Sequence, residues 1–198
     1  MIKIESILIS VYEKSELDDI IKLIKITKLN VLATKSTFDF LKSKGVRAID
    51  VSVLNEFSAI LKGKVKTLHP NVFGGIVADR TKNDNMDLIK YNILPIDCVV
   101  VDLYPFEKTK KYANEEQEIL EKIDIGGVSL IRAAAKNYKN IVTIPSKKQY
   151  HVLKHILEQG AICSTNLSRK LAETAFTISV NYDNGILDYY HKLNSTIV

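Results

Sequence analysis

The stretch GKVKTLHPNVFGG, Gly63 to Gly75, sets Lys64 and Lys66 one residue apart and follows them with Thr67 and His69. In extended backbone, residues i and i+2 share a face. Two ammonium groups there repel each other unless an anion sits between them. Other residues of suitable type recur along the chain. ISVYEKS holds Ser10 and Lys14, and ATKST holds Thr34, Lys35, Ser36 and Thr37. DLYPF carries Tyr104, and DIGGVSLIRAAAKN carries Asp124, Gly126, Gly127, Arg132 and Lys136. Hydroxyls and cations of this kind hold phosphate. A lysine, a phenol and a carboxylate together can move protons. Each also has a plain structural reading: Ser36 or Thr37 as a helix cap, Gly126 and Gly127 as a tight turn, Tyr104 as a packed core residue, and Arg132 and Lys136 as a solvated helix face. His69 reads as a local hydrogen-bonding residue, and His151, His155 and His191 as surface residues.

These residues need a scaffold, and the hydrophobic pattern supplies one. ESILISV, LNVLAT, VRAIDV, VFGGIVA, IDCVVVDLY and NIVTI read as short buried strands. Leu17, Ile20, Ile21 and Ile24 recur at helical spacing, with Ser15 and Asp18 resembling a capping box. STFDFLKSKG predicts a helix capped by Ser36 or Thr37 and stopped at Gly45. An acidic helix is expected around Glu115 to Lys122, and another from Val128 to Asn137. SKKQYHVLKHILEQG predicts a helix with Ser146 as cap and Gly160 as stop. The tail from Asn166 to Leu193 reads as helical, with a break at Gly185 and a soft boundary at Thr165 to Ser168. Alternating strands and helices predict an α/β fold: a parallel sheet in a three-layer sandwich, with a C-terminal helical extension. The expected organisation is one domain over 1–198, with a core of about 1–160 and an extension of about 161–198. Such sheets bind ligands beyond the carboxyl ends of their strands, where Ser10, Thr34, Tyr104 and Asp124 fall.

The composition narrows the function classes. The chain has 198 residues, 46% of them hydrophobic, enough for a full core. The net charge of +5 is spread along the sequence, without an Arg-rich run or basic-aromatic interleaving. That suits a small anionic molecule at least as well as nucleic acid. Two cysteines make neither a disulfide framework nor a zinc site, and Cys98 reads as core. A reducing cytoplasm fits. MIKIESILISV is too short and too charged for a signal peptide, and no apolar run approaches the roughly 20 residues that span a bilayer.

KVKTLHP followed by GGIVA, DLYPF, and above all IDIGGVSLIRAAAKN resemble the inosine monophosphate cyclohydrolase domain, which forms one half of a bifunctional purine-biosynthesis enzyme whose other half is a formyltransferase. The resemblance runs from about Ile4 to Tyr190. It implies a methylglyoxal-synthase-like fold, a homodimer, no metal or organic cofactor, and ring closure of formamido-imidazole-carboxamide ribotide to inosine monophosphate. Carried over by position, the catalytic group is Lys66, Tyr104, Asp124 and Lys136. The phosphate pocket is Ser10, Lys14, Thr37, Lys64 and Thr67, with N–H groups from Thr34 to Thr37. Gly126 and Gly127 offer N–H groups to an oxyanion, and Arg132 is a further cation for an anionic substrate. A carboxylate between two lysines is expected to stay ionised and to orient them.

The departures from the family pattern gather at the phosphate end. The family usually has S-G-G-T where Thr34-Lys35-Ser36-Thr37 stands, Arg for Lys64, S-D-K-T-G for Tyr12 to Glu16, and Arg for Asp79. Lost glycines remove close backbone approach, and Lys64 keeps charge without a bidentate fork. Lys35 offers a replacement cation. A non-catalytic domain that binds a purine nucleotide and regulates a partner is the alternative reading. A methylglyoxal-synthase-like lyase and a nucleic-acid binder rank below it.

Overall fold

A computed structural model describes residues 1–55, 60–112 and 115–195. The order of elements is β1 (Ile2–Lys3), β2 (Ser6–Val11), α1 (Asp18–Thr27), β3 (Asn30–Ala33), α2 (Lys35–Ser43), β4 (Ile49–Asp50), α3 (Pro70–Val77), α4 (Lys82–Lys90), β5 (Cys98–Asp102), α5 (Phe106–Tyr112), α6 (Glu116–Leu120), α7 (Gly126–Lys136), β6 (Val142–Ile144), α8 (Tyr150–Glu158), β7 (Ile162–Cys163) and α9 (Thr165–Ser195). Single turns of 3-10 helix cover Val51–Leu54 and Lys147–Gln149, and Ile60–Gly63 is a turn with left-handed backbone at Leu61 and Lys62.

Five strands form a parallel sheet in the order β4-β3-β2-β5-β6, and β1 pairs antiparallel with β7 apart from it. The strand interiors of this sheet are mostly apolar because both faces are covered, with Thr143 of β6 and Ser10 of β2 as polar exceptions. Ile7 and Ile9 of β2 join Cys98 and Val100 of β5 on one face, against α1 and α8. Leu8, Leu32, Val99 and Val101 point to the other face, against α3, α7 and α9. The result is the expected three-layer α/β sandwich. The chain leaves β2 toward β3 on one side and reaches β5 on the other. That reversal opens a crevice beyond Val11 and Asp102.

Four local expectations are corrected. VFGGIVA is not a strand but lies in α3, because Pro70 opens the helix and His69 Nδ1 accepts the Asn71 N–H. A Cβ on Gly75 would land on the Leu94 carbonyl oxygen, so the glycine permits helix-to-loop contact. Gly185 does not break α9; a Cβ there would lie 2.7 Å from Glu107 Oε1, so it admits α5 beside the helix. Thr34 rather than Ser36 or Thr37 stands at the cap of α2, with no side-chain cap bond. Ser15 and Asp18 form no capping box, since Leu17 precedes α1 and Asp18 pairs with Lys44 at 2.9 Å. The stops at Gly45 and Gly160 hold, with φ of +75° and +80°, and Ser146 accepts the Lys148 N–H as expected. Cys98 and Cys163 are both buried and unpaired.

Candidate functional site

The turn from Lys64 to Thr67 is compact rather than extended, so the shared-face premise for Lys64 and Lys66 does not apply. Leu61, Lys62 and Gly63, all with positive φ, reverse the chain just before it. Asn55, 4% exposed, holds the turn by donating to the carbonyls of Val65 and Lys66, both at 3.4 Å. Lys66 is half-buried and donates to Gly63 O at 3.3 Å, while Lys64 is exposed. Thr67 is buried against the start of α7: a Cβ on Gly126 would lie 2.7 Å from its hydroxyl. Only glycine at 126 lets the two segments meet.

At that junction Asp124 Oδ1 accepts the Gly127 N–H at 2.6 Å, capping the first turn of α7. The Tyr104 backbone N–H and the Lys66 ammonium both lie within electrostatic reach of the same carboxylate and favour its charged form. Burial nevertheless outweighs these three and raises the Asp124 pKa above the ordinary aspartate value. The expected pair of flanking lysines is therefore one lysine, and it does not win against desolvation. Burial, then the Asp124 charge, also raises the Tyr104 phenol, which stays protonated and able to donate. The Tyr104 ring is half-exposed between Tyr12, at 5.2 Å, and the Lys122 ammonium, 5.3 Å from the ring centroid. An open groove lined by Tyr12, Pro105, Tyr112 and Lys122 continues outward from it.

The residues expected to hold phosphate gather where β2 meets α2. Thr34 donates to Ser10 Oγ at 3.3 Å at the mouth of α2. The N–H groups of Lys35, Ser36 and Thr37 open that helix with no acceptor among the described residues, which suits an anion. Thr37 is fully buried and its hydroxyl is spent on the backbone of Val11. Lys35 turns along α2 to Asp39 at 2.7 Å and over Phe38, away from the helix mouth. Lys14 curls back to the carbonyls of Tyr12 and Val11. The N–H groups of Lys14 and Ser15 are taken by Glu13, whose own N–H goes to Asp102.

Two expected residues stand apart. Lys136 closes α7, ten residues beyond Gly126, so at 1.5 Å per residue it lies roughly 15 Å along the axis from the end of the helix that meets Asp124. It is exposed beside Asn137, whose side chain donates to Ile76 O and Ala78 O. Arg132 is exposed partway down the same helix, with its guanidinium 5.5 Å from the Phe176 ring. Sequence reasoning missed Asn55, Tyr12, Lys122 and Tyr182 as neighbours of the site. Tyr12 had a signal, lying just past a strand end. Tyr182 had none, since only folding brings α9 to Asp124. No group of three or more His, Cys, Asp or Glu among the described residues is placed to hold a metal ion, and no described helix is long and apolar enough to cross a membrane.

Comparison with known proteins agrees with the fold. The MGS-like domain family matches residues 16–129, and the AICARFT/IMPCHase bienzyme family matches residues 134–197. The bifunctional purine biosynthesis protein PurH of Bacteroides thetaiotaomicron is 44% identical over 190 residues, 95% of this chain and 38% of its relative's length. PurH of Buchnera aphidicola is 36% identical over 98% of this chain and 37% of the relative. The chain thus spans under two fifths of these relatives. The crystal structure of ForH superposes with a TM-score of 0.77 at 28% identity, covering 94% of this chain and 98% of that one.

Proposed function

This chain belongs to the MGS-like domain family, and from that premise we propose that it is an inosine monophosphate cyclohydrolase. The substrate is formamido-imidazole-carboxamide ribotide, and the reaction is dehydrative closure of the purine ring. The names of the PurH relatives and the bienzyme family match support a role in purine biosynthesis. The observation that carries the specific step is the convergence of Lys66, Tyr104, Asp124 and the Gly126 N–H at one end of the sheet, beside the open mouth of α2.

The phosphate sits at the mouth of α2, against Ser10, Thr34 and the N–H groups of Lys35 to Thr37, with the exposed Lys64 as a further cation for it. The base and its two substituents reach Tyr104. The carboxamide nitrogen attacks the formyl carbon and gives up one proton to Asp124. The formyl oxygen takes the developing negative charge and receives a hydrogen bond from Tyr104 and from the Gly126 N–H. The Gly127 N–H is already held by Asp124. A preorganised donor of this kind is worth about 10²–10³ in rate. That oxygen takes one proton from Lys66 and a second from Asp124, the one Asp124 received from the carboxamide nitrogen, and departs as water. The formamido nitrogen gives its proton back to Lys66, which leaves the C=N bond of the new ring and returns both residues to their starting states. Both reacting groups belong to one molecule, so positioning supplies much of the acceleration. Lys66 rather than Lys136 is the proton source in a single chain.

A formyltransferase, on the same polypeptide or a separate one, supplies the substrate, and the chain works in the cytoplasm as a homodimer. The test mixes purified chain with the formylated ribotide and follows inosine monophosphate by absorbance, with Lys66→Ala as control. Turnover lost in the variant supports the reading. Absence of turnover with inosine monophosphate still bound favours a second reading, a regulatory nucleotide-binding domain. The diversion of Lys35 to Asp39 and the capture of the loop N–H groups by Glu13 favour that second reading.

A further inference from the structure

The side chain of Tyr182 projects from α9 into the turn that carries Asp124. Its hydroxyl accepts the Asp124 N–H at 2.9 Å and donates to the Lys122 carbonyl at 3.1 Å. Both hydrogen-bonding capacities of the phenol are thus spent across one three-residue turn. The ring of the same tyrosine meets Phe106 edge-on, with centroids 6.1 Å apart. Phe106 is 3% exposed, and its N–H donates to Tyr104 O at 2.8 Å. One side chain therefore touches both segments that present the reacting groups: its hydroxyl fixes the Asp124 turn and its ring supports the Tyr104 turn. The helix that delivers it is anchored independently. Leu171, Ala172 and Ala175 of α9 are buried in the core, and Gly185 lets α9 approach Glu107 of α5. A tyrosine serving only as core filling needs one partner for its hydroxyl. This one spans donor and acceptor on a single functional turn. Burial pushes its pKa up to about 12, so the proton needed for the bond to Lys122 O is retained at neutral pH.

We propose that Tyr182 is a positioning residue for the ring-closing site, holding Asp124 and Lys122 in register with Tyr104, and that the C-terminal helix is thereby part of the catalytic apparatus. The catalytic half of this proposal rests on the cyclohydrolase reading; the positional half does not. Without the hydroxyl, the Asp124 N–H and the Lys122 carbonyl lose their partner while the ring and its packing remain. The carboxylate then samples orientations away from the substrate, which lowers turnover more than binding.

The experiment compares the full chain with Tyr182→Phe and, as control on the same helix, Tyr190→Phe. Steady-state ring closure is measured together with amide hydrogen exchange over residues 122–128. In Tyr182→Phe, kcat falls about tenfold with KM within about twofold, and the Asp124 amide exchanges at least about tenfold faster. Tyr190→Phe changes neither. Unchanged kcat in Tyr182→Phe overturns the proposal, and so does unchanged exchange at Asp124. Equal effects in both variants overturn it too, since they report general loosening of the helix. If the wild-type chain closes no ring, the cyclohydrolase reading fails by itself. Exchange at Asp124 then still decides whether Tyr182 holds the turn, faster exchange supporting it and unchanged exchange overturning it.

Discussion

Replacing Asp124 by asparagine separates what this carboxylate does for the fold from what it does for the chemistry. Its structural task is to accept the Gly127 N–H at 2.6 Å. Asparagine caps a helix about as well as aspartate, so that substitution changes stability by no more than about 0.5 kcal/mol through capping, whereas alanine loses about 0.5–2 kcal/mol. In a chain of this size each kcal/mol moves the thermal midpoint by about 2–4 °C. Asp124→Ala therefore melts roughly 1–8 °C lower, and Asp124→Asn does not. Burial adds a pH-dependent component. The folded pKa is raised, so between the unfolded and folded values the native state holds a proton that the unfolded chain has lost. This group therefore favours folding at acid pH, and its contribution fades as pH rises through the raised value. Asparagine has no such loss, so Asp124→Asn gains on the wild type in stability as pH climbs through that window. Turnover behaves in the opposite way. A general base in this position contributes about 10²–10⁴, so both variants lose that much. The wild-type rate falls as pH drops through the raised pKa, and the asparagine variant lacks that limb. Stopped-flow absorbance at several pH values, with calorimetry on the same samples, reads all of this. Near-wild-type turnover in Asp124→Asn across pH would refute the assignment of Asp124 as base.

Three further outcomes test other links. Tyr104→Phe keeps the ring against Tyr12 but removes the donor to the developing oxyanion; kcat in the cyclisation assay drops about 10²–10³-fold, and the melting temperature stays close to wild type because the hydroxyl is half-exposed. Gly75→Ala drives a methyl into the Leu94 carbonyl and costs about 3 kcal/mol or more, whereas at Gly74 the nearest atom to an added Cβ is the flexible Ile93 Cδ1 at 3.1 Å, so Gly74→Ala is neutral or gains up to about 1 kcal/mol of helix propensity; chemical denaturation distinguishes the two. Lys35→Ala leaves affinity for inosine monophosphate within about twofold by calorimetric titration, because its ammonium is committed to the exposed Asp39 pair and is screened there by solvent.

The strands of the central sheet were legible because residues buried on both faces read as unbroken apolar runs. ESILISV, LNVLAT, IDCVVVDLY and NIVTI all contain them. VFGGIVA shows the limit of that signal. A short apolar run fits a buried strand and a buried helix equally well, and it was settled by His69 capping and Pro70 starting α3. Gly185 misled for a related reason. A glycine inside a helix signals either a break or a close neighbour, and the neighbour, Glu107, is 78 residues away in the chain.

The site divides along the same line. Sequence by itself determined which groups the chain can bring to bear: the lysine pair, Tyr104 ahead of Pro105, and Asp124 ahead of two glycines. It also placed Tyr104 just past a strand end and Asp124 just ahead of a helix, because strand and helix period are local properties; the expected strand end before Asp124 is instead the loop between α6 and α7. Tertiary structure alone decided which of them meet. It set Lys66, Tyr104 and Asp124 together, left Lys136 roughly 15 Å down α7, turned Lys35 to Asp39, and brought Tyr182 back to the Asp124 turn from 58 residues away. It also decided the charge balance at Asp124, where burial outweighs the nearby lysine. Desolvation depends on everything packed around a group, and that is a property of the assembled layers rather than of neighbours in the chain.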